Sequence, residues 1–402
     1  MPLLALVTFI LFLSTQIGIP SLPRLSAELG ANPQEMAAIL ASALMTVVAL
    51  QFFSGALADR FGRRAVLVVG AVLGGLTSLA CVFAPNWQAL LALRILGGIA
   101  DAIALPALLG LTAEMAEGKQ GTFFGILRSS QGLSFIVAPT LGGWLTLYSL
   151  RAPFITDGLL SLAAAVVIFV FVRDRRKGEA FATALSNGKL FSNEQGIGHN
   201  QHTVANASPL PIARLVAQPR VWAFALFSAV DNFAFPILAA FLPIKVIALG
   251  YVEWQLAAML AIEAIGFTAA TFFVGRFSDR IGRRPFVIAA QPLIVIACVG
   301  LFLAHDWFAL TAWYTLFGLA SGTTLLLGLV MMADITPNAR AATTLGAFDA
   351  AIDLVIFIAP LIAIAASGVI GTEWVLVLAG LPALVAFPIA LVTRETRNCV
   401  QR

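Results

Sequence analysis

The chain has 402 residues, of which 60% are hydrophobic and 11% charged, and its formal net charge is +4. That balance excludes a soluble globular domain and a disordered chain, and three scattered cysteines exclude a disulfide scaffold. The basic excess does not point to nucleic acid, because the charges bunch in short segments between apolar stretches of about 20 residues.

Twelve such stretches follow one another, at residues 4–24, 35–58, 64–84, 88–113, 122–147, 152–172, 219–243, 252–275, 285–304, 307–333, 342–368 and 373–393. Each can cross a hydrocarbon core of about 30 Å. Backbone groups in lipid must pair within their own segment, so all twelve are predicted to be helices. The first stretch lacks a basic n-region and reads as a span, not a leader. Between spans 2 and 3 stands Gly55-Ala-Leu-Ala-Asp59-Arg60-Phe-Gly62-Arg63-Arg64, and Glu114 ends span 4. Arg94 and Asp101 lie inside span 4, two turns apart and so on one face. Span 5 carries Arg128, followed by a run from Gly132 through Pro139 to Gly142 and Gly143. Asp157 and Asp306, near span ends, read as interfacial.

Residues 173–218 are the one long polar segment, opening with Arg173-Asp-Arg-Arg-Lys177 and rich in Gly, Ser, Asn and Gln. They read as a flexible linker, and His199 and His202 fall within it. The linker separates a bundle of six spans at 1–172 from another at 219–402. In the second bundle, Asp231 lies in span 7, Glu263 in span 8, and Asp349 and Asp353 in span 11. The loop phrase returns as Gly275-Arg-Phe-Ser-Asp279-Arg280-Ile-Gly282-Arg283-Arg284, displaced by 220 residues. At an offset of 221, Gly125 through Pro139 aligns with Gly346 through Pro360. One unit used twice predicts an all-α membrane protein of 12 transmembrane helices in two pseudo-symmetric six-helix bundles.

Orientation follows from Lys and Arg. With both termini in the cytoplasm, 19 of the 24 fall on the cytoplasmic side and only Arg24, Arg151 and Lys245 on the other. Trp87, Trp254, Trp307 and Trp374 each begin a span on that other face, as an aromatic belt does. Cys81 and Cys298 are isolated in apolar spans. Neither a Ser-His-Asp, HExxH or Walker pattern nor a metal-ligand cluster stands out, so the chain is not expected to be an enzyme or to hold a cofactor or metal.

Charges at bilayer depth cost about 2.5–3.5 kcal/mol each on insertion scales and therefore mark cavities or partners. Seven qualify by position: Arg94, Asp101, Arg128, Asp231, Glu263, Asp349 and Asp353. Asp349 and Asp353, at i and i+4, share a helix face and could share a proton. Some of these charges could simply pair, for example Arg128 with Asp349, but two Arg cannot neutralise five acids. The first-bundle set sums to +1 and the second to −4. The second bundle's wall is thus expected to bind protons, a cation or the cationic end of a substrate.

The two loops resemble the G-x-L-x-D-R-x-G-R-R signature of the major facilitator superfamily and its degenerate copy between spans 8 and 9. Arg94-Ile-Leu-Gly-Gly98 is similar to that family's span-4 motif. The run Gly132–Gly143, with Ala138 where glycine is usual, is similar to its span-5 antiporter motif. The resemblance covers essentially the whole chain and runs closest to 12-helix drug:proton antiporters. It implies a latch made of Gly55, Asp59, Arg60, Gly62 and Arg63 against span 11, supported by Glu114. Asp279, Arg280 and Arg283 form the second copy of that loop. It implies a monomeric secondary active transporter of an inner membrane, embedded in lipid, moving a small molecule by alternating access on a proton gradient. Efflux by antiport is the first expectation. Proton-coupled uptake, or facilitated transport of a metal ion or chelate, is the second. A non-transporting sensor or scaffold is the third.

Overall fold

The computed structural model describes residues 2–116, 118–172, 219–337 and 340–396. The linker 173–218, with His199 and His202, and Cys399 lie outside them. Among the described residues, the membrane helices number twelve. α1 runs over Pro2–Ile17 and, through a 3-10 turn at Ile19–Ser21, continues as Leu22–Glu28. There follow α2 (Pro33–Phe61), α3 (Arg63–Cys81), α4 (Trp87–Ala116), α5 (Gln120–Thr146) and α6 (Ala152–Phe171). The second set is α7 (Pro219–Ala248), α8 (Glu253–Ile281), α9 (Arg284–Leu303), α10 (Trp307–Ile335) and α11 (Ala341–Ile370). α12 is formed by Trp374–Leu378 and Leu381–Val392.

Eleven of these are long and apolar enough to cross a membrane. The exception is α5, whose middle holds Arg128, Ser129, Ser130, Gln131 and Ser134. A helix this polar at membrane depth must turn its polar side to protein, and α5 packs against α1 on one side and α8 on the other.

Local chemistry explains the ends. Asn32 caps α2 by accepting from the Glu35 N–H at 2.9 Å, while the Glu35 carboxylate accepts from the Asn32 N–H at 2.7 Å, with Pro33 at the first helical position. Asp306 caps α10 in the same way through the Ala309 N–H at 2.9 Å. The hairpins α2–α3 and α8–α9 turn at Gly62 (φ 99°) and Gly282 (φ 117°). A side chain is strained at such φ values, which is why the repeated phrase keeps a glycine there.

Packing reproduces the repeat. α2 on α4, α3 on α4, α3 on α6 and α1 on α5 are matched by α8 on α10, α9 on α10, α9 on α12 and α7 on α11. The halves meet through α5 on α8 and α2 on α11, which are equivalent contacts under the repeat. Both seams rest on glycine. A Cβ at Gly275 would lie 2.3 Å from the Gly121 carbonyl oxygen, and one at Gly55 2.5 Å from that of Ala342. Without a hydrophobic drive between helices in lipid, such close backbone approach is what holds them.

Among the described residues, the hydrogen bonds joining the halves come from residues 51–59 and 121–129 of one half and 268–279 and 342–349 of the other. All lie toward the face that carries the duplicated loop, here termed the loop face. The molecule is therefore sealed on that face and parted toward the opposite, far face.

Candidate functional site

Two symmetric clusters make the seal. Asp59, in the last turn of α2, accepts from the Thr343 N–H at 2.8 Å, the Thr343 hydroxyl at 2.7 Å and the Ala342 N–H at 3.4 Å. These donors are the first turn of α11, whose partial positive charge favours a carboxylate. Arg63 holds Asp59 at 2.9 Å and reaches Glu114 at 2.9 Å and the Gly110 carbonyl at 2.8 Å. In the other half, Asp279 accepts from the Gly121 N–H at 2.9 Å, the Thr122 N–H at 2.6 Å and the Thr122 hydroxyl at 2.5 Å, at the start of α5. Arg283 holds Asp279 at 2.6 Å and Asp334, the repeat partner of Glu114, at 3.3 Å.

Arg60 departs from its expected place in the latch. It is exposed, and its guanidinium lies 5.5 Å over the Phe61 ring, because one residue beyond Asp59 the helix has turned away from α11. Arg280, at the equivalent position, is also exposed. Sequence reasoning missed Thr122 and Thr343, although their separation of 221 matches the repeat. It also missed the C-terminal segment. Glu395 accepts from the Arg283 and Arg284 N–H groups at 2.9 and 3.0 Å, and the Thr396 hydroxyl donates to Asp334 at 2.8 Å.

Behind the seal lies a cavity of about 450 Å³. Its wall is mainly α1, α2, α3 and α4, closed by Gln131 and Phe135 of α5 and by Asp353 and Ile356 of α11. Leu11, Phe12, Leu44, Val47 and Leu105 make it largely apolar, and Arg94 and Asp101 bring charge to the same wall. Arg94 Nε has no hydrogen-bond partner among the described residues. Such a lining suits an amphipathic ligand with a charged end.

At the cavity's edge, the Arg128 guanidinium donates to Gln131 Oε1 at 2.8 Å and to Asp349 Oδ1 at 2.7 Å across the halves. Gln51 donates to the same carboxylate at 3.5 Å and to the Gly346 carbonyl at 3.3 Å. Asp349 is thus buried and neutralised, whereas Asp353, one turn on, faces the cavity and is held by the Asn232 amide at 3.3 Å.

Two expected cavity residues lie elsewhere. Asp231 and Glu263 are buried inside the second half, between α7, α8 and α10, close enough to interact with each other and with the Tyr314 hydroxyl. A helix that is apolar all round gives no clue to which side its mid-span acid faces. Asp157 is not interfacial either. It is buried, bonded to the Ser78 and Ser161 hydroxyls, because the start of α6 packs inward against α3. Asp306 stands at a helix end, as its cap role requires. Of the α5 motif, Gly132 abuts Thr268 of α8 and Gly142 abuts the Ile17 carbonyl of α1, whereas Gly143 borders open space. Pro139 lies within α5, as Pro360 does within α11.

These features recur in known proteins. The family model described as Major Facilitator Superfamily matches residues 4–267 and 237–398. The quinolone resistance protein NorA of Staphylococcus aureus is 26% identical over 170 residues, 42% of this chain and 44% of that protein, so the match spans less than half of that relative's length. The multi-drug resistance efflux pump PmrA of Streptococcus pneumoniae is 23% identical over 334 residues, 81% of this chain and 78% of the pump. Among solved structures, the human organic anion transporter MFSD10 (TETRAN) superimposes with a TM-score of 0.76 at 17% identity, covering 97% of this chain and 98% of its own. The proton:xylose symporter XylE does so at 0.75 and 14%, covering 98% and 95%. At such identities these structures speak for the fold alone. With the family model matching nearly end to end, this multi-pass membrane chain belongs to the Major Facilitator Superfamily.

Proposed function

We propose that the chain is a secondary active transporter that exports a small amphipathic or cationic solute in exchange for protons. The observation that carries this reading is the cavity of the first half that reaches α11 of the second, lying behind the loop-face seal and edged by Asp353 and Asp101 beside an apolar wall. The excess of Lys and Arg on the loop face supports placing that face in the cytoplasm, and on that reading the described state is open outward. Two relatives whose names are those of a drug-resistance protein and an efflux pump support export over uptake.

The residues divide the work. Arg128 and Asp349 neutralise each other and bridge the halves, while Asp353 is left to carry a charge that matters to the ligand. An ionised Asp353 attracts a cationic solute from the inward-facing side. A proton arriving from outside cancels that charge and releases the solute. Because one proton enters for each monovalent cation that leaves, the exchange moves no net charge and is driven by the pH gradient. Asp59 and Asp279 hold the outward-open state by capping α11 and α5.

Purified protein in liposomes loaded with a lipophilic cationic dye tests the reading. An imposed pH gradient should drive dye flux with counter-movement of protons, and Asp353→Asn should abolish the coupling. Dye flux indifferent to the pH gradient would overturn antiport.

A further inference from the structure

Among the buried acids with no part in that mechanism, one in the first half is joined to the cavity by hydroxyls. Asp157 of α6 lies inside the first half, 5% exposed and away from the cavity lining. It is brought there by glycine: a Cβ at Gly75 would lie 2.9 Å from the Gly158 carbonyl oxygen, so α3 and α6 nearly touch beside it. That approach sets the Ser78 hydroxyl on Asp157 Oδ2. On Oδ1 stands the Ser161 hydroxyl at 3.3 Å, and Ser161 in turn lies 3.0 Å from the Ser14 hydroxyl of α1. Ser14 and Ser161 both border the cavity. A continuous file of hydroxyls therefore runs from the cavity to a buried carboxyl.

Proton accounting along the file permits two states. Each serine hydroxyl has one hydrogen to donate. If Asp157 is ionised, Ser161 must donate to it and Ser14 must donate to Ser161. If Ser14 instead donates to the Leu11 carbonyl, 2.8 Å away, Ser161 donates to Ser14, and only a protonated Asp157 can supply the hydrogen between Oδ1 and Ser161. The geometry accommodates both directions without moving a heavy atom. A proton reaching Ser14 from the cavity displaces the Ser14 hydrogen to Ser161, and the Ser161 hydrogen passes to Asp157. Each hydroxyl ends with one hydrogen and the carboxyl gains one.

The ionisable groups that act electrostatically with Asp157 are Arg94 and Asp101 of α4 and the Cys81 thiol of α3, while α1 offers Ser14. Arg94 can balance one of the two carboxylates, which leaves the other to be balanced by a proton. We propose that Asp157 is a proton-binding site, filled and emptied through Ser161 and Ser14, and electrostatically tied to the cavity through Arg94 and Asp101. This extends the proton-coupled reading above from the wall of the second half to the interior of the first.

Infrared difference spectra of the full chain in lipid nanodiscs, acid minus alkaline, test it without any substrate. Wild type should show a protonated-carboxyl band containing a component that Asp157→Asn removes. Ser161→Ala, which keeps the acid but breaks the file, should shift that component and slow its exchange with deuterium. Should Asp157→Asn fail to fold, the Ser161→Ala shift decides alone. A carboxyl band that is the same in wild type and Asp157→Asn, or untouched by Ser161→Ala, overturns the proposal. A chain that moves no dye in liposomes would sink the antiport reading and leave this test intact.

Discussion

Replacing Asp59 by Asn isolates the seal's electrostatics, because the side chain keeps its shape and one acceptor oxygen. In the structure the carboxylate takes two short hydrogen bonds and one long one from the start of α11 and an ion pair from Arg63. Hydrogen bonds to a charged acceptor are worth about 1.5–3 kcal/mol each against about 0.5–1.5 for neutral ones. A carboxylate at a partly buried helix N-terminus adds up to about 2 kcal/mol. The variant keeps weakened bonds and loses the charge, so the sealed state should lose about 3 kcal/mol relative to one with the loop face open. That is on the order of a 100-fold change in the ratio of the two states. Spin labels at Phe61 and Ile281, exposed at the loop-face ends of α2 and α8, report that opening. Labels at Leu147 and Val369, exposed near the far ends of α5 and α11, report the matching closure. Electron–electron distance measurements in nanodiscs should show the first distance lengthen and the second shorten. Adding Asp279→Asn should shift both further, since it breaks a separate cluster. Unchanged distributions in the double variant would refute the idea that these two caps hold the loop face shut.

Glycine at the seam makes a steric version of the same test: Gly275→Val should part α5 from α8 and lengthen the loop-face distance, whereas Gly143→Ala, with open space beside it, should leave both distances and the melting temperature unchanged. Arg128→Gln leaves Asp349 as a buried unpaired charge, which costs about 3–5 kcal/mol; Asp349→Asn added to it should recover most of the lost thermal stability in detergent. Glu395→Ala uncaps the start of α9 at a cost of about 0.5–2 kcal/mol, and amide exchange there should speed up while exchange in α3 does not.

The sites divide by how their residues announce themselves. Gly62 and Gly282 are legible because a hairpin at positive φ admits little else, and the phrase around them occurs twice. Asp59 and Asp279 follow from the same phrase, and the Arg128–Asp349 pair follows from their equal places in the repeat. Glu395 and Thr396 are not legible, since neither carries a periodic or motif signal. They matter only because residues 395 and 396, just after α12, fold back onto α9 and α10. Asp231 and Glu263 are legible as charges out of place in apolar helices, but not in which direction they point, and Asp157, near a span end, reads as interfacial when it is in fact buried. In a soluble helix the apolar stripe would settle that. A membrane helix is apolar toward lipid and toward protein alike, so the stripe carries no information.

Sequence alone therefore determined the number of spans, the two halves and the place of the duplicated loop. Each of these follows from a local quantity: the length of an apolar run, a repeat offset, or a glycine that a turn requires. Tertiary structure decided which face is sealed, which acids meet the cavity and which are shut inside a half. Those outcomes depend on helix rotation and on backbone contacts as close as the one between Gly121 and Gly275, which only the packed helices establish.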